Sequence, residues 1–391
     1  MPPVHAIPLV AAMALAAPQV PQGIPDPLAR PGQRPDQAPV QDDRSTLTIA
    51  PDGVIGIVGP RDPLPGPEAS AGFVVDVPCR ALGEPAPTLF LDDGQRIVGR
   101  LVMGPSGIRW KHPSMPPFAI DPSRTRFLVM SGPIPPRAES ADAIHLFNGD
   151  RIEGIVETVD AAGVSLSVAG ADGAAVTTVP IDAVRAIAFV VPDRPRAGTR
   201  AWLTDGSVID GSSIRWIGRG EAAIEDVASL PGEPVRILRS DLAAAEFRPG
   251  SIRPLARLMR GAAPPSGDPV GRHATVAPRL GAGTWAFDAP TVTLEGPVRV
   301  ECDPPGAPSR LVATVRRSPT AAHAGSVVVR VESGGNEAFR ARLGVGQREC
   351  ELRADLAASG FAIELLSDDG SLVGDCVELE RAVVVSAPTQ P

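Results

Sequence analysis

The sequence has no tyrosine and a single lysine, Lys111, in 391 residues. Four tryptophans (Trp110, Trp202, Trp216, Trp285) and ten phenylalanines supply an aromatic share of 4%, little material for the exposed rings on which sugars commonly stack. Positive charge is therefore nearly all arginine, its longest run is Arg316-Arg317, and the net charge is -8. That distribution leaves no footprint for a phosphate backbone, so nucleic acid is not an expected partner. No apolar stretch reaches the roughly 20 residues of a membrane span. Five histidines (His5, His112, His145, His273, His323) are scattered without metal-ligand spacing. A Gly-x-Ser-x-Gly elbow, a phosphate loop and a His-Glu-x-x-His pair are all missing, so no enzyme and no cofactor are expected.

Proline and glycine, by contrast, are abundant at 45 and 40 residues, enough to break long helices and leave many short strands. The apolar run from Ala6 to Ala17, with Ala14-Leu15-Ala16 as a small-x-small cleavage sequence, predicts a signal peptide over 1–16. Its basic region is reduced to the amino terminus and His5, and the alternative is an Ala/Pro-rich tail. Export to the periplasm or beyond is the expectation. Residues 17–45 form a Pro-rich stretch that cannot bury enough apolar surface to order itself. A second Pro/Gly-rich stretch, 251–284, is expected to be a linker.

Between these breaks one pattern occurs three times, as LDDGQRIVG (Leu91 to Gly99), FNGDRIEG (Phe147 to Gly154) and LTDGSVIDG (Leu203 to Gly211). Gly94 and Gly149 lie 55 residues apart, Gly149 and Gly206 57, and such spacing marks internal repetition. The repeats run over about 88–130, 143–191 and 200–248 within 46–250. Asp93-Gly94, Asn148-Gly149 and Asp205-Gly206 are expected as tight primed hairpin turns. The second glycines, Gly99, Gly154 and Gly211, are expected where a strand bends sharply enough to curl a small sheet toward a barrel. Runs such as Val164 to Val168, Val176 to Val179 and Ala186 to Val190 supply the remaining strands, about five per unit. The order apolar, Asn/Asp-Gly-Asp, x, Ile, x, Gly, closing on Ile-Asp-x-Val-x-x-Ile-x-Phe, resembles the Sm/SH3-like repeats of exported planctomycete-type proteins. The middle copy fits best; the first carries the insertion HPSMPPF (His112 to Phe118) and the third Ser212-Ser213 after its glycine.

Residues 285–387 alternate as a half-buried antiparallel sheet does: Val327, Val329 and Val331 oppose Val328, Arg330 and Glu332, and Phe361, Ile363 and Leu365 oppose Ala362 and Glu364. Strand spacing of about 8 to 12 residues predicts two packed sheets. The succession RLVATV, GSVVVRVESGG, FRARL, CELRADL, FAIELLSDDGSLVGDCVELERAVVV resembles the NPCBM family, a jelly-roll, galactose-binding-like module often joined to carbohydrate-active enzymes. Gly283-Thr284-Trp285-Ala286-Phe287 stands where that family has a glycine-rich, histidine-containing segment. The fold class expected is thus all-β, repeated SH3/Sm-like barrels followed by a jelly-roll β-sandwich.

Site candidates are few. Trp285, at the start of the sandwich, is the candidate ligand-binding aromatic. Asp368, Asp369 and Asp375 in SDDGSLVGD are candidate oxygen ligands, with Ca²⁺ the one cation considered; the alternative is a solvated hairpin turning at Gly370. The pair Asp92-Asp93 precedes a glycine, where adjacent acids ordinarily make a turn. First and last strands of a jelly roll commonly adjoin, which makes Cys302 with Cys376 the preferred disulfide, Cys350 the competitor and three free thiols the alternative; Cys79 stands apart. The function expected is an exported non-catalytic binding or scaffold protein recognising cell-surface glycan or another envelope protein. The alternative is an accessory subunit or degenerate relative of a carbohydrate-active enzyme.

Overall fold

The computed structural model describes residues 46–49, 55–58, 70, 72–75, 86–104, 107–160, 163–170, 173–196, 198–217, 221–225, 227, 234–263, 277–281, 287, 289–318, 326–368 and 375–386. The signal peptide expected over 1–16, the Pro-rich stretch 17–45, Cys79, Trp285 and Asp369 lie outside these residues. The described chain is all-β, with three single-turn 3-10 helices, and no helix in it is long and apolar enough to cross a membrane.

One five-strand topology occurs three times. In the middle repeat Asp142–Leu146, Arg151–Val159, Val164–Gly170 and Gly173–Val179 pair consecutively, and a 3-10 turn leads to Val184–Ala188, which returns to pair with the first strand. The third repeat follows the same path from Thr199–Leu203 to Leu242–Glu246, and the first from Thr88–Leu91 to Thr125–Val129.

The hairpin turns differ from the primed form expected. Gly94, Gly149 and Gly206 hold φ of 84°, 96° and 93°, while the preceding Asp or Asn stays out of the left-handed region. Each loop has three residues: the leucine before it accepts from the glycine N–H and its own N–H donates to the residue after the glycine, as in Gly149 to Leu146 (3.1 Å) and Leu146 to Asp150 (2.9 Å). The Asp or Asn side chain instead accepts from the N–H two residues on, at 3.2 Å (Asp93), 2.9 Å (Asn148) and 2.8 Å (Asp205). A type I turn closed by a left-handed glycine needs one positive φ, so the Asp or Asn is freed for this side-chain bond.

The second glycine in each repeat solves a spacing problem. A Cβ at Gly99, Gly154 or Gly211 would lie 2.6, 2.4 and 2.4 Å from the carbonyl oxygens of Lys111, Ser167 and Glu225 on the next strand. The bent strand can cross its neighbour only without a side chain. Gly154→Ala is therefore expected to cost about 1–3 kcal/mol, as overpacking does; urea denaturation with an unshifted midpoint would contradict it.

These units are merged. The last strands of the first and second repeats pair (Leu128 with Ile187), the second strands of the first and third meet at Arg96 and Val208, and the last strand of the third pairs with Gly72–Val75. With Thr46–Ile49 and Ile55–Val58 this makes one path of 14 strands. A continuous core runs beneath it, from Leu89, Ile144 and Ile187 to Ile209, Ile224 and Phe247.

The expected linker over 251–284 is partly strand. Ile252–Pro254 pairs with Val383 to Val385, and Met259–Ala263 with Arg299 to Cys302. Ile252 and Leu255 are buried, and their burial outweighs the Pro/Gly composition around them. The C-terminal unit is a two-sheet sandwich. One sheet has six strands, Arg279–Leu280, Val292–Glu295, Cys376–Ser386, Ser309–Arg317, Glu349–Leu356 and Ile252–Pro254; the other has five, Met259–Ala263, Val298–Cys302, Phe361–Ser367, Val327–Ser333 and Asn336–Leu343. Val329, Val331, Leu311, Leu352, Ile363 and Val384 fill the space between them. A separate cluster joins the sandwich to the third repeat: Trp202, Val208 and Ala244 meet Ile252, Phe287, Val312, Val383 and Val385, with Trp202 edge-on to Phe287 at 4.7 Å.

Candidate functional site

Of the sequence-derived ligand candidates, Asp368 and Asp375 lie among the described residues. Trp285 and Asp369 are outside the described residues. Asp368 accepts from Ser326 Oγ (2.5 Å) and pairs with Arg342 (2.5 Å). Asp375 is buried, and its carbonyl accepts from Gly296 N–H at 2.7 Å. Among the described residues no three His, Cys, Asp or Glu side chains gather as a metal site. Trp110 is fully buried with Nε1 donating to Ile97 O at 3.1 Å, and Trp216 packs on Phe73 at 5.7 Å. Both serve cores.

The preferred disulfide is absent. Cys302, Cys350 and Cys376 are free thiols. Cys302 ends a strand of the five-stranded sheet, opposite Phe361, whereas Cys376 opens a strand of the other sheet, opposite Glu295. The last strand adjoins Val292–Glu295 and Ser309–Arg317, and the strand bearing Cys302 lies across the core from it. Burial, with Glu301 and Asp303 alongside, pushes the Cys302 thiol up to about 12, and burial raises Cys350 and Cys376 as well. The thiolate is the reactive form. Half-buried Cys350 is therefore expected to react first with a disulfide reagent in folded protein, and Cys302 only as fast as the chain unfolds; stopped-flow labelling with peptide mapping reads the order.

Two polar assemblies escaped the sequence reading. The first is the seam between repeats one and three. Val98 N–H donates to Ser207 Oγ (2.9 Å) and Asp210 N–H to Gln95 Oε1 (2.8 Å), so equivalent positions of the two repeats exchange equivalent bonds. Arg96 Nε donates to Gly206 O at 2.8 Å. Arg200 grips Asp210 with two bonds of 2.6 Å and donates to Asp93 O at 3.0 Å. Burial pushes the Asp210 carboxyl up, opposed by Arg200 and Arg196.

His112, buried in the same seam, has the look of a catalytic partner but the bonding of a strut. Its Nδ1 accepts from Ser114 N–H (3.0 Å), so Nε2 carries the proton and donates to Asp205 Oδ2 (2.8 Å). Both ring nitrogens are thereby occupied, and the Ser114 hydroxyl turns to Asp241 at 3.4 Å. Burial acts to raise the Asp205 carboxyl, but bonds from His112 and Ser207 hold it below its usual range. A depressed acid contributes stability above its unfolded pKa that is lost as pH falls through the folded value.

The second assembly covers the outer face of the five-stranded sheet, and it is the candidate binding surface. Arg299, Glu364, Arg330 and Arg340 form one row across four strands. Alternation placed Glu364 toward water, yet it is fully buried. Arg299 lies on one of its oxygens at 2.6 Å and Arg330 Nε on the other at 2.8 Å. Glu332 bridges the same two arginines at 2.5 and 3.0 Å. Burial disfavours the Arg299 charge, but Glu332, Glu301 and Glu364 overcome this and raise its pKa. Around this fixed centre Glu301, Glu337 and Arg340 are exposed. The sequence signal was the Arg/Glu spacing of two in Arg299/Glu301 and Arg330/Glu332. Such a face offers oriented guanidinium donors and carboxylate acceptors, the complement of hydroxyl-rich or carboxylate-bearing ligands.

No protein-family model and no curated protein matches the chain. Among solved structures it is similar to a CBM51 of Clostridium perfringens GH95 in complex with methyl-galactose, at 12% identity over 34% of this chain and 99% of that one, TM-score 0.26. It is similar also to the CBM51-2 and INT domains of Clostridium perfringens ZmpB in complex with GlcNAc, at 12% identity over 46% and 42%, TM-score 0.27. A third is the tandem CBM51 modules of a family 98 glycoside hydrolase from Streptococcus pneumoniae, at 8% identity over 62% and 88%, TM-score 0.26. Likeness at these scores carries no argument about ligand or activity, and the all-β, two-sheet assignment stands on the strand pairing described above.

Proposed function

We propose that this chain is an exported, non-catalytic binding protein whose C-terminal sandwich presents the arginine-glutamate face to cell-surface glycan. One observation carries the reading: Glu301, Glu337 and Arg340 stay exposed around a centre fixed by Glu364, and the buried acids serve to hold strands together. Asp92 is held by Arg124 and Arg194, Asp210 by Arg200, Glu246 by Arg196, and Glu364 by Arg299 and Arg330. A catalytic carboxyl needs an open valence toward substrate, and these groups are spent on structure. The NPCBM-like strand order seen in the sequence supports glycan as the ligand class.

The test immobilises the full chain and offers it solubilised envelope polysaccharide and envelope protein separately. Polysaccharide should be retained, released by free sugar, and lost on Arg340→Glu. Retention of protein alone would replace glycan with a protein partner; retention of neither would overturn the reading. Amino-terminal sequencing of protein recovered from culture should begin at Ala17 if the chain is exported and cleaved.

A further inference from the structure

The sheet edges of the three repeats are used unequally. Among the described residues, the last strand of every repeat is covered: the first and second cover each other, and Gly72–Val75 covers the third. The second strands of repeats one and three cover each other at Arg96 and Val208. In the middle repeat the equivalent edge, Arg151 to Gly154, pairs on one side with Asp142–Leu146 and on the other with no described strand. An uncovered edge of backbone donors and acceptors is a site for strand addition.

We propose that two copies of this chain associate through this edge, Arg151 of each lying on a two-fold axis, so that the middle repeats repeat between molecules the seam that repeats one and three make within one. Gln95 and Ser207 accept, across that internal seam, the N–H groups of Asp210 and Val98. Asp150 occupies their position in the middle repeat and Glu153 that of Val98 and Asp210. An Asp150 carboxylate accepting the N–H of the second copy's Glu153 reproduces the exchange in both directions, as an isologous interface requires. Arg96 Nε donates to Gly206 O, and Arg151 stands in place to do the same toward the second copy's Gly149. Each Arg151 on the axis is flanked by carboxylates, and it already pairs with its own Glu153 at 2.7 Å.

Apolar exposure fits the same axis. Phe147 and Ile155 are exposed at 57% and 67%, conspicuous for large apolar side chains. They flank the open edge, Phe147 in the turn before it and Ile155 just past the bend at Gly154. The equivalent positions in the paired repeats, Asp92, Thr204, Arg100 and Ser212, are polar; there the seam is internal and needs no apolar contact to assemble.

Analytical ultracentrifugation of the full chain over about 1 to 100 µM, a range suited to modest interfaces, should show twice the chain mass at the upper end. Arg151→Glu and Phe147→Asp should each return it to monomer with an unchanged melting temperature, because both side chains face solvent in one copy. Arg151→Cys should cross-link to itself under mild oxidation, whereas Val345→Cys, still more exposed but in the sandwich, should not. A monomer throughout, a larger assembly, or a dimer that survives both substitutions without the Arg151→Cys cross-link would overturn the proposal.

Discussion

Replacing Arg200 with methionine should destabilise the folded chain by about 3–5 kcal/mol, the cost of leaving a buried charge without its partner. Arg200 and Asp210 are each under a tenth exposed, and two 2.6 Å bonds join them. Removing the guanidinium strands the carboxylate between repeats one and three and takes away the donor to Asp93 O. The loss should also depend on pH. Burial already raises the Asp210 carboxyl in the intact protein, and without Arg200 the folded pKa rises further. An acid with a folded pKa above its unfolded value binds more protons when folded, so stability falls as pH rises between the two values. Arg200→Met should therefore look worse at pH 8 than at pH 5 relative to the parent. Urea denaturation at both values measures it, and a small, pH-independent change would show that the seam does not depend on this pair.

Trp202→Ala should be nearly as costly, about 3–5 kcal/mol for a buried aromatic. Trp202 joins the third repeat to the sandwich, and its ring meets Phe287 edge-on at 4.7 Å, with Arg196 5.8 Å from its face. Truncation opens a hole where the two parts meet, and a single unfolding transition should split, because each part keeps its own core. Trp202→Phe separates packing from hydrogen bonding. The indole Nε1 is buried with no hydrogen-bond partner among the described residues, so phenylalanine forfeits area but no bond, and its cost should stay near 1–2 kcal/mol. Calorimetry of both variants checks this; equal losses would mean that the indole nitrogen matters after all.

How much of this was legible in the chain depended on the range of the interaction. The repeat, its glycines and its five strands were visible because each rests on neighbours close in sequence. An Asp/Asn-Gly pair turns locally, and Gly154 followed by alternation announces a strand that must bend. Alternation in Val327 to Val331 and Phe361 to Leu365 was sufficient to place the sandwich core. The turn type was misread because primed turns and three-residue loops share the same glycine; the difference lies in the Asn148 side chain bonding forward to Asp150 N–H. Residues 252–263, within the expected linker, form strands instead because composition outvoted Ile252 and Leu255, and Ile252 pairs with a partner more than a hundred residues away. The same distance undid the disulfide: the spacing of Cys302 and Cys376 says nothing about which sheet holds each strand.

By itself, then, the sequence determined an all-β chain of three bent, glycine-hinged units and an alternating sandwich, since helix-breaking composition, turn chemistry and period-two burial act within a few residues. Tertiary structure alone decided which edge met which. Every repeat has the same two edges, and local energy does not distinguish covering one with a sister repeat from covering it with Gly72–Val75 or leaving it open. That choice was made by side chains brought together across the fold, Gln95 with Asp210, Arg200 with its fork on Asp210, Trp202 against Phe287, and by a fully buried Glu364 whose place on a face expected to be wet is stabilised only once Arg299 and Arg330 arrive from neighbouring strands.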